Sequence, residues 1–159
     1  YKVVNYSATY GVGAPKLARE TGMSEKEAKK LLTAFWQRNW AIEKVAGGLR
    51  VRELFGTMWL QNPVSKFWYQ LRSDKDRFST LNQGTGVFCF DSWVAICRKN
   101  GLKTIGQFHD EIIVLVEAGK EQETEATMKA AITSVNKRIQ LNVDLGVDAQ
   151  FGSTYADIH

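Results

Sequence analysis

Lys103-Thr104-Ile105-Gly106-Gln107-Phe108-His109-Asp110-Glu111-Ile112-Ile113-Val114-Leu115-Val116-Glu117 is the stretch on which the reading of this chain turns. Two apolar, β-branched runs, Thr104 to Phe108 and Ile112 to Val116, flank three ionisable residues, His109, Asp110 and Glu111. The pattern predicts a tight β-hairpin with its polar residues at the tip. Strands apolar on both faces are buried ones, so the carboxylates would sit on a rigid element close to a core, as metal sites are presented. An Asp that merely makes the turn, with its neighbours in solvent, accounts for the same residues. From this stretch alone both readings stand.

Working outward, Gly101 follows a long helical pattern that runs from a cap at Ser73 or Asp74 to about Asn100, with Arg98 and Lys99 suited to its negative end. Phe78, Leu81, Val87, Phe88, Phe90, Trp93, Val94 and Ile96 cover most of its surface, which predicts a helix deep in the core. Lys75, Ser79 and Gln83 nevertheless share one face at i, i+4 and i+8, and Gly84 and Gly86 follow. Each glycine costs a helix interior on the order of 1 kcal/mol against Ala, so something approaches the helix closely, a ligand or another helix. Beyond the hairpin, Lys120 to Gln140 reads as an amphipathic helix with Met128, Ala131, Ile132, Val135 and Ile139 inward. Val143, Leu145, Val147 and Ala149 alternate as a final strand.

Upstream, Thr57 to Leu71 predicts a second hairpin turning at Asn62-Pro63. Ser24 with Glu27 forms a capping box ahead of helical spacing from Ala28 to Val45, and Gly47-Gly48 ends it. Pro15 opens a shorter helix that Gly22 closes. At the start, Lys2, Tyr6 and Tyr10 line one helical face and Gly11 caps it. A cation with two phenols suits phosphate plus flat bases; amphipathic side chains at a domain edge give the same stripe.

The chain has 159 residues, enough for one domain or two intimate lobes with a real core. Its 21 Lys and Arg against 17 acids permit a polyanionic partner without demanding one. Cys89 and Cys97 lie eight apart on one predicted helix, about 12 Å, too far to bridge, which fits a reducing compartment. No apolar run is long enough to span a bilayer and no signal pattern opens the chain. A first residue of Tyr rather than Met is what a fragment or processed chain would show.

Three separated segments together resemble the C-terminal part of family A DNA polymerases, the group containing bacterial polymerase I and the T7-like phage enzymes. Lys2 to Gly11 is similar to the Lys-x-x-x-Phe/Tyr-x-x-x-Tyr-Gly core of the family's fingers helix. Gln83-Gly84-Thr85 is similar to the Gln-Gly-Thr that touches the primer–template minor groove, and His109-Asp110-Glu111 to the family's third catalytic motif. A Gly, an aromatic and a terminal His159 also resemble the family's ending.

The resemblance implies an α+β fold, with residues 1–56 part of the helical fingers and 57–159 part of an antiparallel palm with a buried helix. It implies template-directed nucleotidyl transfer to a primer 3′-end in the cytoplasm of a bacterium or phage-infected host, with primer–template DNA and dNTP as partners. Lys2 would meet the triphosphate, Tyr6 would stack by the sugar and base and admit nucleotides lacking the 3′-hydroxyl, and Tyr10 with Gly11 would hold the templating position. Asp110 would ligate Mg²⁺, with Glu111 auxiliary and His109 near the primer terminus. Lys75, Ser79 and Gln83 would face the duplex. The family uses two Mg²⁺ about 3.5–4 Å apart and two aspartates. The second belongs to an Asp-Tyr-Ser-x-x-Glu motif upstream of Lys2 that these residues lack, so an N-terminal segment must supply it and the chain alone should be inactive. Phe90-Asp91-Ser92 echoes that motif only superficially, and Ser79 stands where the family usually has Asn. A non-catalytic nucleic-acid-binding remnant, one subunit of a split polymerase and a small metal-dependent hydrolase are the competing expectations; against the last, adjacent strand residues point to opposite faces.

Overall fold

The structure is a computed structural model that describes residues 2–158, with the side chain of Lys2 outside the described residues. It is an α+β protein whose chain divides into two compact units, Tyr1–Thr85 and Gly86–His159. This division follows packing, whereas the expected boundary after residue 56 follows the resemblance.

The first unit opens with α1 (Lys2–Thr9), α2 (Ala14–Thr21), α3 (Glu25–Arg38) and α4 (Trp40–Gly47). Helix ends fall where the local chemistry puts them. Gly11 takes φ 76°, its N–H donates to the Ala8 carbonyl and that of Val12 to Ser7, a Schellman closure. Pro15 lies in the first turn of α2, and Gly22 ends that helix at φ 74°. Ser24 and Glu27 form the capping box, and the two Ser24 hydrogen bonds hold the Glu27 carboxyl below its usual range. Leu17, Ala18 and Ala28 form the buried centre of this helical group, with Val4, Val12, Met23 and Leu32 packed around it. The single helix expected from Ala28 to Val45 is broken at Asn39, whose side-chain amide donates to the Phe35 carbonyl at 2.8 Å while its backbone leaves helical geometry at φ −107°, ψ 32°.

A three-stranded antiparallel sheet follows, β1 (Val51–Leu54), β2 (Thr57–Gln61) and β3 (Trp68–Leu71), in that order. The hairpin expected from Thr57 to Leu71 is present as β2–β3, its connection running through Asn62 and the residues up to Phe67. Strand β1 was not anticipated. A 3₁₀ turn, Asp74–Asp76, then leads into α5 (Arg77–Lys99). Leu60 and Leu71 are buried, and the Tyr69 ring lies against Gly84 so tightly that a Cβ there would come within 2.9 Å of it. Close approach therefore explains Gly84, the approaching group being an aromatic from the sheet; a Cβ on Gly86 would meet nothing within 4 Å.

The second unit holds the remainder of α5, the hairpin β4 (Lys103–Phe108) and β5 (Glu111–Leu115), α6 (Glu121–Ile139) and a 3₁₀ turn, Tyr155–Ile158. Trp93, Val94 and Cys97 of α5 pack on Met128, Ala131, Ile132 and Val135 of α6, and the Trp93 indole donates to the Met128 carbonyl at 3.1 Å. The deeply buried residues of α5 are Gly84, Cys89, Trp93, Val94 and Cys97. Val87 is exposed, so the expectation of a helix sunk in the core on most of its surface is corrected.

The strand expected at Val143 to Ala149 does not form. Asn136 of α6 replaces a strand partner: its amide donates to the Leu145 carbonyl at 2.9 Å and accepts from the Leu145 N–H at 3.0 Å. Leu145 and Val147 still reach the core, without a ladder. No helix among the described residues is long and apolar enough to cross a membrane.

Candidate nucleic-acid interface and carboxylate hairpin

In the first unit, residues far apart in sequence meet. Tyr6 and Tyr10 share the α1 face, with the Tyr10 N–H still bonded to the Tyr6 carbonyl at 3.0 Å, and both side chains are exposed. The Gln83 side-chain amide donates to the Tyr10 hydroxyl at 2.8 Å across 73 residues of sequence. Beside it, a Cβ on Gly11 would lie 3.4 Å from both the Cβ and the carbonyl of Lys75. The end of α1 thus packs against the start of the α5 region, and Tyr10, Gly11, Lys75 and Gln83 form one surface cluster. Lys75 and Gln83 are exposed there. Ser79 is half-buried and donates to the Asp76 carbonyl at 3.0 Å, so its hydroxyl serves the helix start. The role expected of the Lys2 ammonium, and the resemblance at His159, fall outside the described residues.

Asn62 is the residue that sequence reasoning undervalued. It is fully buried, its carbonyl oxygen accepts from the N–H groups of Val64 and Ser65, and its amide donates to the Thr85 hydroxyl at 2.9 Å and the Leu81 carbonyl at 3.3 Å. One side chain fixes the β2–β3 connection and ties it to the Gln83-Gly84-Thr85 turn of α5. Asn before Pro signals the turn; nothing local signals the tie.

In the second unit the hairpin forms at the expected place with a shorter tip. Phe108 pairs with Glu111, leaving His109 and Asp110 as a two-residue turn, His109 at φ 46°. Glu111 is the first residue of β5, not part of the tip. The ladder slips between Thr104 and Gly106, so Ile105 bulges and is exposed, as are Phe108 and Leu115. The strands are half-exposed rather than buried on both faces, because the hairpin has no third strand among the described residues. His109 and Asp110 are exposed and Glu111 is half-buried. Asp91 on α5 accepts from the Gln107 amide at 3.4 Å, two residues before the tip.

Asp110 and Glu111 offer the hard oxygen donors that Mg²⁺ takes, one or two carboxylates with the remaining positions left to water and phosphate. No group of three His, Cys, Asp or Glu gathers as a metal cage among the described residues. That donor set fits an ion shared with a substrate or a further carboxylate. Both cysteines are buried, and burial pushes the Cys97 thiol up to about 11 and Cys89 upward, so neither is a ready thiolate nucleophile at neutral pH. No family model and no curated protein matches the chain.

Proposed function

We propose that this chain is the Asp110-bearing portion of a family A DNA polymerase, catalysing template-directed nucleotidyl transfer when joined to a segment that carries a second aspartate. The observation that carries the reading is the Gln83 to Tyr10 hydrogen bond at 2.8 Å, with Gly11 against Lys75. Two of the three segments on which the resemblance rests, Lys2 to Gly11 and Gln83 to Thr85, lie 73 residues apart at Tyr10 and Gln83, and they meet. Tyr6 and Tyr10 give flat, exposed surfaces for a base, and Lys75 and Gln83 give a cation and an amide for a duplex.

Asp110, at the end of a hydrogen-bonded hairpin, would hold Mg²⁺ together with phosphate oxygens and the second aspartate. A pair of such ions, when bound, would supply activation of the primer 3′-oxygen and charge stabilisation for the leaving pyrophosphate. Glu111 begins the strand and Gln107 braces the other one against Asp91, which keeps the tip in place. The cytoplasm, with its dNTP supply, is the compartment this reading requires.

The test is reconstitution. The chain is mixed with an N-terminal polymerase segment containing the Asp-Tyr-Ser-x-x-Glu motif, and extension of a labelled primer is followed with Mg²⁺ present. Extension that needs both pieces is the expected result. DNA binding without extension would favour the non-catalytic remnant, and phosphodiester hydrolysis by the chain alone would favour the hydrolase.

A further inference from the structure

The outer face of the three-stranded sheet carries side chains that scaffolding does not need. The register pairs Arg52 with Trp59 and Trp59 with Gln70, and Gln61 with Trp68, while the Gln61 N–H donates to the Arg50 carbonyl. Cross-strand partners share a face, so Arg50, Arg52, Trp59, Gln61, Trp68 and Gln70 all lie on one side. The other side holds Leu60, Leu71 and the Tyr69 ring packed on Gly84, which fixes it as the inner one. Arg50, Arg52 and Gln70 are exposed, and the two tryptophans are half-exposed.

The face is already arranged. The Arg52 guanidinium lies 3.9 Å from the centre of the Trp68 ring and that of Arg50 at 5.4 Å, and Arg50 donates to the Gln61 amide oxygen at 3.2 Å. Both cations are therefore held over aromatic surface. The only carboxylate on these three strands, Glu53, alternates to the opposite face. Solvated sheet faces ordinarily take Thr, Lys and Glu, whereas planar cations, indoles and primary amides match phosphates, base faces and base edges in turn.

We propose that this sheet face is a binding platform for single-stranded nucleic acid, distinct from the Tyr10–Gln83 cluster. Bases stack on Trp59 and on the Arg52–Trp68 pair, phosphates meet Arg50 and Arg52, and Gln61 and Gln70 reach base edges. A duplex keeps its base faces stacked on one another and cannot use the tryptophans, so the platform discriminates strandedness. The inference stands apart from the polymerase reading, since it requires neither Asp110 nor a second protein segment.

The experiment titrates the 159-residue chain into a fluorescein-labelled 12-nucleotide oligo-dT, and into a labelled duplex, reading anisotropy over a range of salt. Trp59→Ala should weaken oligo-dT binding on the order of tenfold. Arg50→Ser with Arg52→Ser should flatten the dependence of log affinity on log salt by about 1.4, two lost phosphate contacts at about 0.7 each. Duplex affinity should stay within twofold in both variants. Arg52→Lys, which keeps the charge and the surface position, should retain the salt slope while losing part of the affinity, and it guards against a folding artefact in the Trp59 variant. Oligo-dT affinity and slope unchanged in all three, equal losses for oligo-dT and duplex, or no oligo-dT binding by the wild-type chain at low salt would each overturn the proposal.

Discussion

The sheet β1–β2–β3 and the hairpin β4–β5 are both short antiparallel structures, and they are held in opposite ways. The first is pinned from behind: Asn62 spends all its hydrogen bonds on the connection and on α5, and Tyr69 sits on Gly84. The second ends in an exposed pair of ionisable residues, carries a bulge at Ile105 and buries the Thr104 hydroxyl without a partner. Their tips share one strain. Phe55 at φ 50°, ahead of Gly56 at φ 72°, and His109 at φ 46° are bulky residues in the left-handed region, where single non-Gly residues cost about 1–3 kcal/mol. Stability explains the pinned sheet. It does not explain placing His109 at the left-handed position of the hairpin turn, where turn chemistry favours Gly, Asn or Asp.

The contrast can be broken by substitution. The largest effect should come from Asp110→Ala in the reconstituted enzyme, a loss of extension on the order of a thousandfold, equivalent to about 4 kcal/mol of barrier, with DNA affinity little changed. Asn62→Ala should cost about 1–3 kcal/mol, because it strands the Thr85 hydroxyl and two backbone N–H groups in a buried site. A melting temperature lower by several degrees would report it. Gly84→Ala should destabilise by a similar amount, since the Tyr69 ring cannot retreat without leaving the sheet's packing.

Phe55→Asn should act the other way. The ring is 96% exposed and loses no contact, while Asn-Gly suits a turn with two positive φ values, so stabilisation of about 1 kcal/mol is expected in denaturant melts. Smallest should be Gly106→Ala, under about 1 kcal/mol. Its Cβ would meet the Phe108 ring at 2.9 Å, but that ring is 53% exposed and can swing away. A Gly106 variant costing as much as Gly84→Ala would erase the difference between the two structures.

Local chemistry was legible in the sequence. Gly11, Gly22 and the Ser24–Glu27 box end or begin helices through contacts within a few residues, and α6 with its inward Met128 to Val135 stripe follows from spacing alone. What escaped depends on distant partners. Asn62 reaches residues 19 and 23 positions away, and Tyr10 one that is 73 away. Strand β1 has only Val51 and Leu54 as apolar residues, on opposite faces, and is made by pairing with β2. The missing final strand is the converse case. Val143 to Ala149 alternates as a strand should, yet at its centre Leu145 gives its N–H and carbonyl to Asn136 and no ladder forms. At the hairpin, hydrophobicity placed the strands but not the register, and the single step that moved Glu111 from the tip into β5 is set by the turn.

Whether Asp110 is a metal ligand or a turn residue is decided by one protein, Asp110→Asn, read for both its melting temperature and its primer-extension rate beside the N-terminal segment. Asn keeps the size and turn chemistry of Asp110 and removes the charge. The melting temperature should stay within about 2 °C of wild type, the shift of less than 1 kcal/mol expected of an exposed residue, while extension falls to background. Extension at the wild-type rate would show that Asp110 makes a turn and nothing more.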